Sequence, residues 1–117
     1  MATLIPTLTL SSTDATSDTL SFTVTDQLSI TKKVITPSRV TTSTGDLTVF
    51  ASSSYSRSYV YLKNTDDTIV MNFDFGSTLS IALAAGEFAF FPWESSQNLV
   101  ATSASGTPYL EYAIFEA

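Results

Sequence analysis

SYVYLKNTDDTIVMNFDF, residues 58–75, decides the fold class of this chain. Both ends of the stretch are rich in tyrosine, valine, isoleucine and phenylalanine, which favour β-strands. The run Thr-Asp-Asp between them is polar and short, as is typical of a tight turn. The stretch therefore predicts two strands, 58–64 and 68–75, joined as a β-hairpin.

The rest of the chain continues this pattern of short alternating runs between turn residues. Thr and Leu alternate over 7–10, and Leu20, Phe22 and Val24 alternate with hydroxyl side chains, as expected of strands with one wet face. No segment has a convincing helical period. Further strands are predicted at 28–30, 32–35, 78–83, 87–91, 109–115, from Leu99 onward, and on both sides of a turn at 44–46 within 39–51.

Roughly nine to eleven short strands, with a turn about every ten residues, predict an all-β fold. We expect a single antiparallel β-sandwich or jelly-roll-like domain over residues 20–117. Residues 1–19 are expected to form an extended N-terminal arm or an edge strand. The C-terminal strand is so apolar that it must be paired inside a sheet.

Composition excludes several classes of function. Nineteen threonines and eighteen serines replace most of the charged residues, and the net charge is −6 with only five Lys and Arg. Binding to nucleic acid or to an anionic membrane is therefore not expected. The chain has no cysteine and no histidine, which removes disulfides, thiolate metal sites and the usual general base. We expect no enzyme activity, no cofactor and no bound metal.

Acidic residues offer only weak signals for chemistry. Asp66, Asp67 and Asp74 cluster near the predicted hairpin, but their spacing matches no calcium loop, and turn acids that form local hydrogen bonds explain them. Glu111 shares a face with aromatic residues. A buried carboxylate there would need a partner such as Lys63 or Arg57.

Aromatic residues near carboxylates also allow a carbohydrate-binding module, which would use Trp93, Tyr55 or Tyr59 for stacking on sugars. A glycosidase would need a facing carboxylate pair, for which Glu87, Glu94 and Glu111 are the candidates. The chain is small for such an enzyme.

EFAFFPWESS, residues 87–96, is apolar on both faces of its predicted strand. Phe88 and Phe90 share one face, and Phe91 and Trp93 share the other. In a two-layer domain the outer face of a sheet is normally wet. The N-terminal arm, a loop or a neighbouring subunit must therefore cover one of the two faces.

The C-terminal half resembles small virion proteins of tailed bacteriophages, including cyanophages. The resemblance rests on the strand YVYLKN, an aliphatic strand, the turn and strand AAGEFAFFP, a hydroxyl-rich turn and the closing EYAIFE. The opening ATLIPTLTLSSTDATSDTLSFTVTDQL is also similar to the N-termini of such proteins. No catalytic motif is part of the resemblance.

The resemblance implies a decoration, or cement, protein on the outer surface of the capsid. Such a protein would stabilise the head by bridging major capsid subunits, most often as a homotrimer. A tail, fibre or head–tail connector component is the alternative within the same class. We expect subunit and capsid contacts through exposed apolar residues: Phe88, Phe91, Trp93, Tyr109 and Tyr112, together with Leu4, Ile5 and Leu8 of the arm.

Overall fold

The computed structural model describes residues 2–15, 17–31, 37–76 and 79–117. Within these ranges the chain is all-β, without any helix, which confirms the predicted fold class. The strands are β1 (Ala2–Leu4), β2 (Thr7–Ser12), β3 (Leu20–Thr25), β4 (Leu28–Ile30), β5 (Ser38–Thr41), β6 (Leu47–Phe50), β7 (Ser58–Asn64), β8 (Met71–Phe75), β9 (Leu79–Leu83), β10 (Phe88–Trp93), β11 (Leu99–Ser103) and β12 (Tyr109–Glu116).

Two four-stranded antiparallel sheets form the sandwich. Sheet I has the order β10-β7-β12-β5, and sheet II has the order β6-β11-β8-β9. From β5 onward the chain changes sheet at every connection except the β8–β9 hairpin. Most neighbouring strands therefore come from distant parts of the sequence.

The core lies between the two sheets and follows from the alternation of side chains along each strand. Val60 and Leu62 of β7 point inward, as do Met71 and Phe73 of β8, and all four are fully buried. The core cluster comprises Phe50, Val60, Leu62, Met71, Phe73, Leu83, Trp93, Leu99, Ala101 and Leu110.

The hairpin predicted within 58–75 is wrong, although both of its strands exist. β7 pairs with β10 and β12, whereas β8 pairs with β9 and β11 in the other sheet. The two strands contribute their apolar faces to the same core from opposite sheets. Residues 65–70 cross between the sheets.

Asn64 holds this crossing in place from a fully buried position. Its Nδ2 group donates to the carbonyl oxygens of Ile69 (2.7 Å) and Leu83 (3.0 Å), and its Oδ1 atom accepts from the backbone N–H of Asp66 (3.0 Å). One polar side chain thus ties strand ends of both sheets to the connection between them.

The N-terminal strands form two further antiparallel pairs. β1 pairs with β4, and β2 pairs with β3 in a six-residue ladder that we call the ribbon. The N–H of Asp26 donates to the carbonyl of Pro6 (3.1 Å) at the base of the ribbon. The N–H of Thr31 donates to the carbonyl of Glu116 (2.8 Å), which joins this segment to the end of β12.

Most of the other predicted strands are confirmed, with small differences at their ends. β10 continues through Pro92 to Trp93 at the edge of sheet I, where proline costs no ladder hydrogen bond. β12 lies between β7 and β5, so the C-terminal strand is paired on both sides as predicted. The strand predicted at 32–35 lies outside the described residues. The ribbon spans both sides of residue 19, the predicted boundary of the arm.

Candidate functional site

The outer face of sheet I, on the side away from the core, is rich in aromatic residues. Phe88 and Phe90 project from β10, Tyr59 and Tyr61 from β7, and Phe115 from β12. Phe88 is 61% exposed and Phe90 is 38% exposed. The outer face of a two-layer sandwich is usually polar. An aromatic outer face is therefore expected to be covered by another part of the chain or by another protein.

Ring and guanidinium contacts order one end of the outer face. The rings of Tyr59 and Phe90 stack with their centroids 6.4 Å apart. The guanidinium of Arg57 lies over the Tyr59 ring at 5.4 Å, donates to the Tyr59 hydroxyl at 3.3 Å and donates to Glu94 at 3.0 Å. The hydrogen bonds to Tyr59 and Glu94 raise the pKa of Arg57 above its ordinary value. The guanidinium therefore stays charged.

Glu111 lies on the outer face in β12, one of the two central strands of sheet I, and has a partner that the sequence did not suggest. The hydroxyl of Tyr61 donates to its carboxylate at 2.8 Å, and Lys63 and Arg39 occupy the neighbouring positions on the two flanking strands. Burial, and then the hydrogen bond to Glu111, raise the pKa of Tyr61 to about 12. Arg57, one of the predicted partners, pairs with Glu94 instead.

An open apolar groove of about 620 Å³ lies between the outer face and the N-terminal segment. Its volume falls within the range of roughly 300–1,000 Å³ that is usual for binding sites. Polar groups are scarce along its walls. Its principal lining residues are Leu4, Leu8 and Val24 on one side and Phe88, Phe90 and Phe115 on the other.

The ribbon has one hydroxyl face and one apolar face. Thr7 and Thr9 pair with Thr25 and Thr23 through hydroxyl contacts of 3.3 and 3.4 Å on the first face. The second face carries two cross-strand pairs, Leu8 with Val24 and Leu10 with Phe22, and these four side chains are 45–46% exposed.

Within the described residues the ribbon is a two-stranded sheet of its own, with no further strand paired to either edge. An isolated two-stranded ribbon is only marginally stable in water. Contact of its apolar face with another surface would therefore stabilise it.

The residues predicted to make subunit and capsid contacts divide between exposed positions and the core. Phe88 and Tyr109 are strongly exposed, as are Ile5 and Leu8, and Leu4 is half-buried in the groove wall. The other three belong to the inner face of sheet I: Trp93 is buried in the core cluster, and Phe91 and Tyr112 are partly buried against it.

Trp93 is the most deeply buried of the three. It is 4% exposed, and its ring lies 6.0 Å from Phe50 and 6.4 Å from Tyr55. Tyr112 also packs against Phe50, with a centroid distance of 5.6 Å. The aromatic side chains within 87–96 therefore divide by strand face, with Trp93 in the core and Phe88 outside.

The residues predicted for sugar stacking have little free ring surface. Trp93 and Tyr55 pack against the core cluster, and Tyr59 stacks against Phe90 on one side of a ring that also contacts Arg57. The structure thus gives no specific support to a carbohydrate-binding module built on these three residues.

The acidic residues near the crossing form local hydrogen bonds. The carboxylate of Asp66 accepts from the backbone N–H groups of Thr68 (2.9 Å) and Ile69 (2.8 Å), which lowers its pKa. Asp74 accepts from the hydroxyl of Ser80 at 2.8 Å. Within the described ranges no three potential ligand side chains converge as a metal site would require.

Sequence reasoning missed Leu10, Phe22, Val24 and Phe90 as exposed apolar residues. The alternation of the ribbon was visible in the sequence, but alternation alone does not say whether the apolar face is buried. Only the tertiary structure shows that these four side chains are partly exposed.

Comparison with known proteins found no relative of this chain. No family model matches it, no curated protein is similar to it, and no solved structure matches its fold. None of the described residues belongs to a helix that could cross a bilayer.

Proposed function

We propose that this chain is a structural component of a bacteriophage particle, namely a non-enzymatic decoration protein of the outer capsid surface. It would bridge neighbouring major capsid subunits, stabilise the head and associate with its own copies, most simply as a homotrimer. The family is suggested by the sequence resemblance alone.

One structural observation supports an assembly role: the apolar surface that runs from the ribbon across the groove to β10. Leu8 and Val24 belong to both the ribbon and the groove, and Phe88 and Phe90 form the opposite wall. Monomeric proteins seldom leave a continuous apolar patch of this kind uncovered. A cement protein needs a surface that becomes buried against other proteins, and an apolar patch suits that role.

Among the large apolar residues that the structure describes in the arm, Ile5 is the most exposed, at 59%, and it is absent from the groove lining. We assign it to the contact with the major capsid protein. Association through a small apolar surface gains free energy by removing that surface from water, about 25 cal/mol per Å² before the costs of association.

The copy number in particles tests the proposal. Particles are purified from a lysate that contains the protein, and the chain is quantified by mass spectrometry against the major capsid protein. We expect hundreds of copies in a simple ratio to the capsid protein. A handful of copies would indicate the tail, fibre or connector alternative, and absence from the particles would refute a virion role.

A binding experiment tests the contact itself. The variant Ile5→Asp should bind less well to heads that lack the protein, because a carboxylate is costly to bury at an apolar contact. Thr3→Asp is the matched control, since Thr3 is also exposed in the same segment. Equal binding of both variants would remove Ile5 from the capsid contact.

A further inference from the structure

The four N-terminal strands form one continuous antiparallel hairpin, of which the ribbon is the outer part. The pair β1–β4, which we call the root, ends where Leu4 lies opposite Leu28. The ribbon begins where Thr7 lies opposite Thr25. Two residues separate root from ribbon on each strand, so the register is the same in both.

The interruption between root and ribbon has the properties of a hinge. The N–H of Asp26 donates to the carbonyl of Pro6 there, but proline has no N–H with which to return the bond. The root is attached to the sandwich, because Ile30 is buried and the N–H of Thr31 donates to the carbonyl of Glu116. Among the described residues, no backbone hydrogen bond joins the ribbon to sheet I or sheet II.

One face of the whole hairpin is turned toward the outer face of sheet I. Because the register is preserved, even-numbered residues share this face. They supply five of the six hairpin residues that line the groove: Leu4, Pro6, Leu8, Val24 and Asp26. The opposite wall consists mainly of aromatic residues of sheet I: Tyr61, Phe88, Phe90 and Phe115. Two largely apolar surfaces of one chain therefore face each other across the groove.

Burial on this face of the hairpin decreases from the root toward the tip. Ile30 is buried, and Leu4 and Leu28 are half-buried. Leu8 and Val24, beyond the interruption, are 45–46% exposed. The apolar face is therefore covered at the root and open along the ribbon.

Asp26 is the one charged residue in the groove lining, and its position is compatible with a closed groove. Its side chain is exposed, and its carboxylate accepts from the N–H of Gln27 at 2.7 Å. Because it lies at the interruption, it moves little when the ribbon rotates. The carboxylate therefore keeps its hydration and avoids the cost of burial.

We propose that the ribbon closes over the outer face of its own sheet I by rotation at the interruption beside Pro6. Closure places Leu8 and Val24 against Phe88 and removes their apolar surface from water. Ile5 belongs to the opposite face of the hairpin, so it stays exposed when the ribbon closes. The inference concerns the free chain and does not depend on the capsid role.

A closed ribbon explains how the free chain avoids presenting a large apolar patch to water, which monomeric proteins seldom do. It also stabilises a two-stranded ribbon that would be only marginally stable alone. Opening the ribbon makes both walls of the groove available to another protein.

An internal disulfide tests closure, because the native chain has no cysteine. The double variant Leu8→Cys/Phe88→Cys is oxidised mildly at about 1 μM, where bonds within one chain are favoured by an effective concentration of roughly millimolar order. A disulfide requires the two Cα atoms to come within roughly 4.4–6.8 Å of each other. We expect an internal disulfide well in excess of that in Thr9→Cys/Phe88→Cys, since Thr9 belongs to the hydroxyl face of the ribbon.

Two outcomes of this experiment would overturn the proposal. An internal disulfide no more abundant than in the Thr9→Cys/Phe88→Cys control would show that the ribbon does not close on Phe88. Disulfide-linked dimers as the main product would show that the two walls meet between copies instead. Shielded fluorescence of Trp93 in each variant verifies that the sandwich is folded.

The dye ANS, which binds exposed apolar surface, gives an independent test. Val24→Asp places a carboxylate in the closed contact, so the ribbon should open. ANS fluorescence should then rise severalfold above that of the native chain, although the variant itself has lost an apolar side chain. Thr25→Asp, on the hydroxyl face, should keep the native level. Equal fluorescence of Val24→Asp and the native chain would contradict closure, and neither test involves capsids.

Discussion

The hydroxyl of Tyr61 donates a 2.8 Å hydrogen bond to the carboxylate of Glu111 across the two central strands of sheet I. The two residues lie on the outer face, with Glu111 opposite Lys63 and Arg39 in the strand register. The carboxylate of Glu111 lies among aromatic side chains. It is stabilised there by the neutral hydroxyl donor of Tyr61, and Lys63 and Arg39 lie beside it on the neighbouring strands.

This contact predicts an alkaline pH dependence of stability. The pKa of Tyr61 is raised from 10.0 to about 12 in the folded chain, so folding favours the protonated phenol. Its contribution is complete below the unfolded pKa near 10 and is lost as the pH rises through about 12. Urea unfolding of the native chain and of Tyr61→Phe should show this component only in the native chain.

The same substitution also removes one hydrogen bond at neutral pH. Tyr61→Phe should reduce the free energy of unfolding by about 1 kcal/mol, the usual net value for such a bond. An identical dependence on pH in both proteins between 10 and 12 would show that the contact does not contribute.

Trp93 should report on the core and not on ligands. As the sole tryptophan, packed beside Phe50 and Tyr55, it should fluoresce as an apolar, shielded indole in the folded chain. Acrylamide should quench it weakly until the chain unfolds, and a broad panel of glycans should leave its emission unchanged. Quenching by a glycan would revive a carbohydrate-binding role.

Asn64 should be the polar side chain whose loss costs most. Asn64→Ala removes two donors from the carbonyls of Ile69 and Leu83 in a fully buried position. We expect a loss of about 2–4 kcal/mol in the free energy of unfolding, measured by urea titration. Asp67→Ala, at an exposed position in the same connection, should change it by less than about 0.5 kcal/mol. Similar effects of both substitutions would contradict the role of Asn64.

Gly86 should tolerate asparagine better than alanine. It has a φ of +81° between Ala84 and Glu87, whose backbone groups form a 3.1 Å turn hydrogen bond. A Cβ atom there would meet nothing within 4 Å, so only backbone strain opposes a side chain. Gly86→Ala should cost about 1 kcal/mol in thermal or urea unfolding, and Gly86→Asn should cost less because asparagine adopts this conformation more readily. Equal losses would indicate a different cause.

The strands could be predicted because their signal is local. Val60 and Leu62 alternate with Tyr59 and Tyr61 in the sequence. In the structure the first two face the core and the other two face outward. The pairing of β7 could not be predicted, since the nearest partner along the chain, β8, belongs to the other sheet. Residues 65–70 look like a hairpin turn in the sequence but form a crossing between layers.

The candidate site divides in the same way. Composition and the absence of cysteine and histidine pointed to a surface without thiol or imidazole chemistry, and the two apolar faces of β10 were visible in EFAFFPW. Which face of β10 is buried depends on its register against β7. A shift of one residue would turn Phe88 toward the core and Trp93 toward the outer face.

By itself the sequence determined the all-β class, most strand positions and the alternation of polar and apolar side chains in β2 and β3, because side-chain alternation and turn chemistry act over a few residues. Only the tertiary structure decided that Trp93 lies in the core, that Tyr61 is the partner of Glu111, and that the ribbon leaves a groove beside Phe88 and Phe90. Those outcomes depend on contacts between residues far apart in the chain. Local patterns do not distinguish the two apolar faces of a strand such as β10, and the packing of the two sheets determines which face is buried.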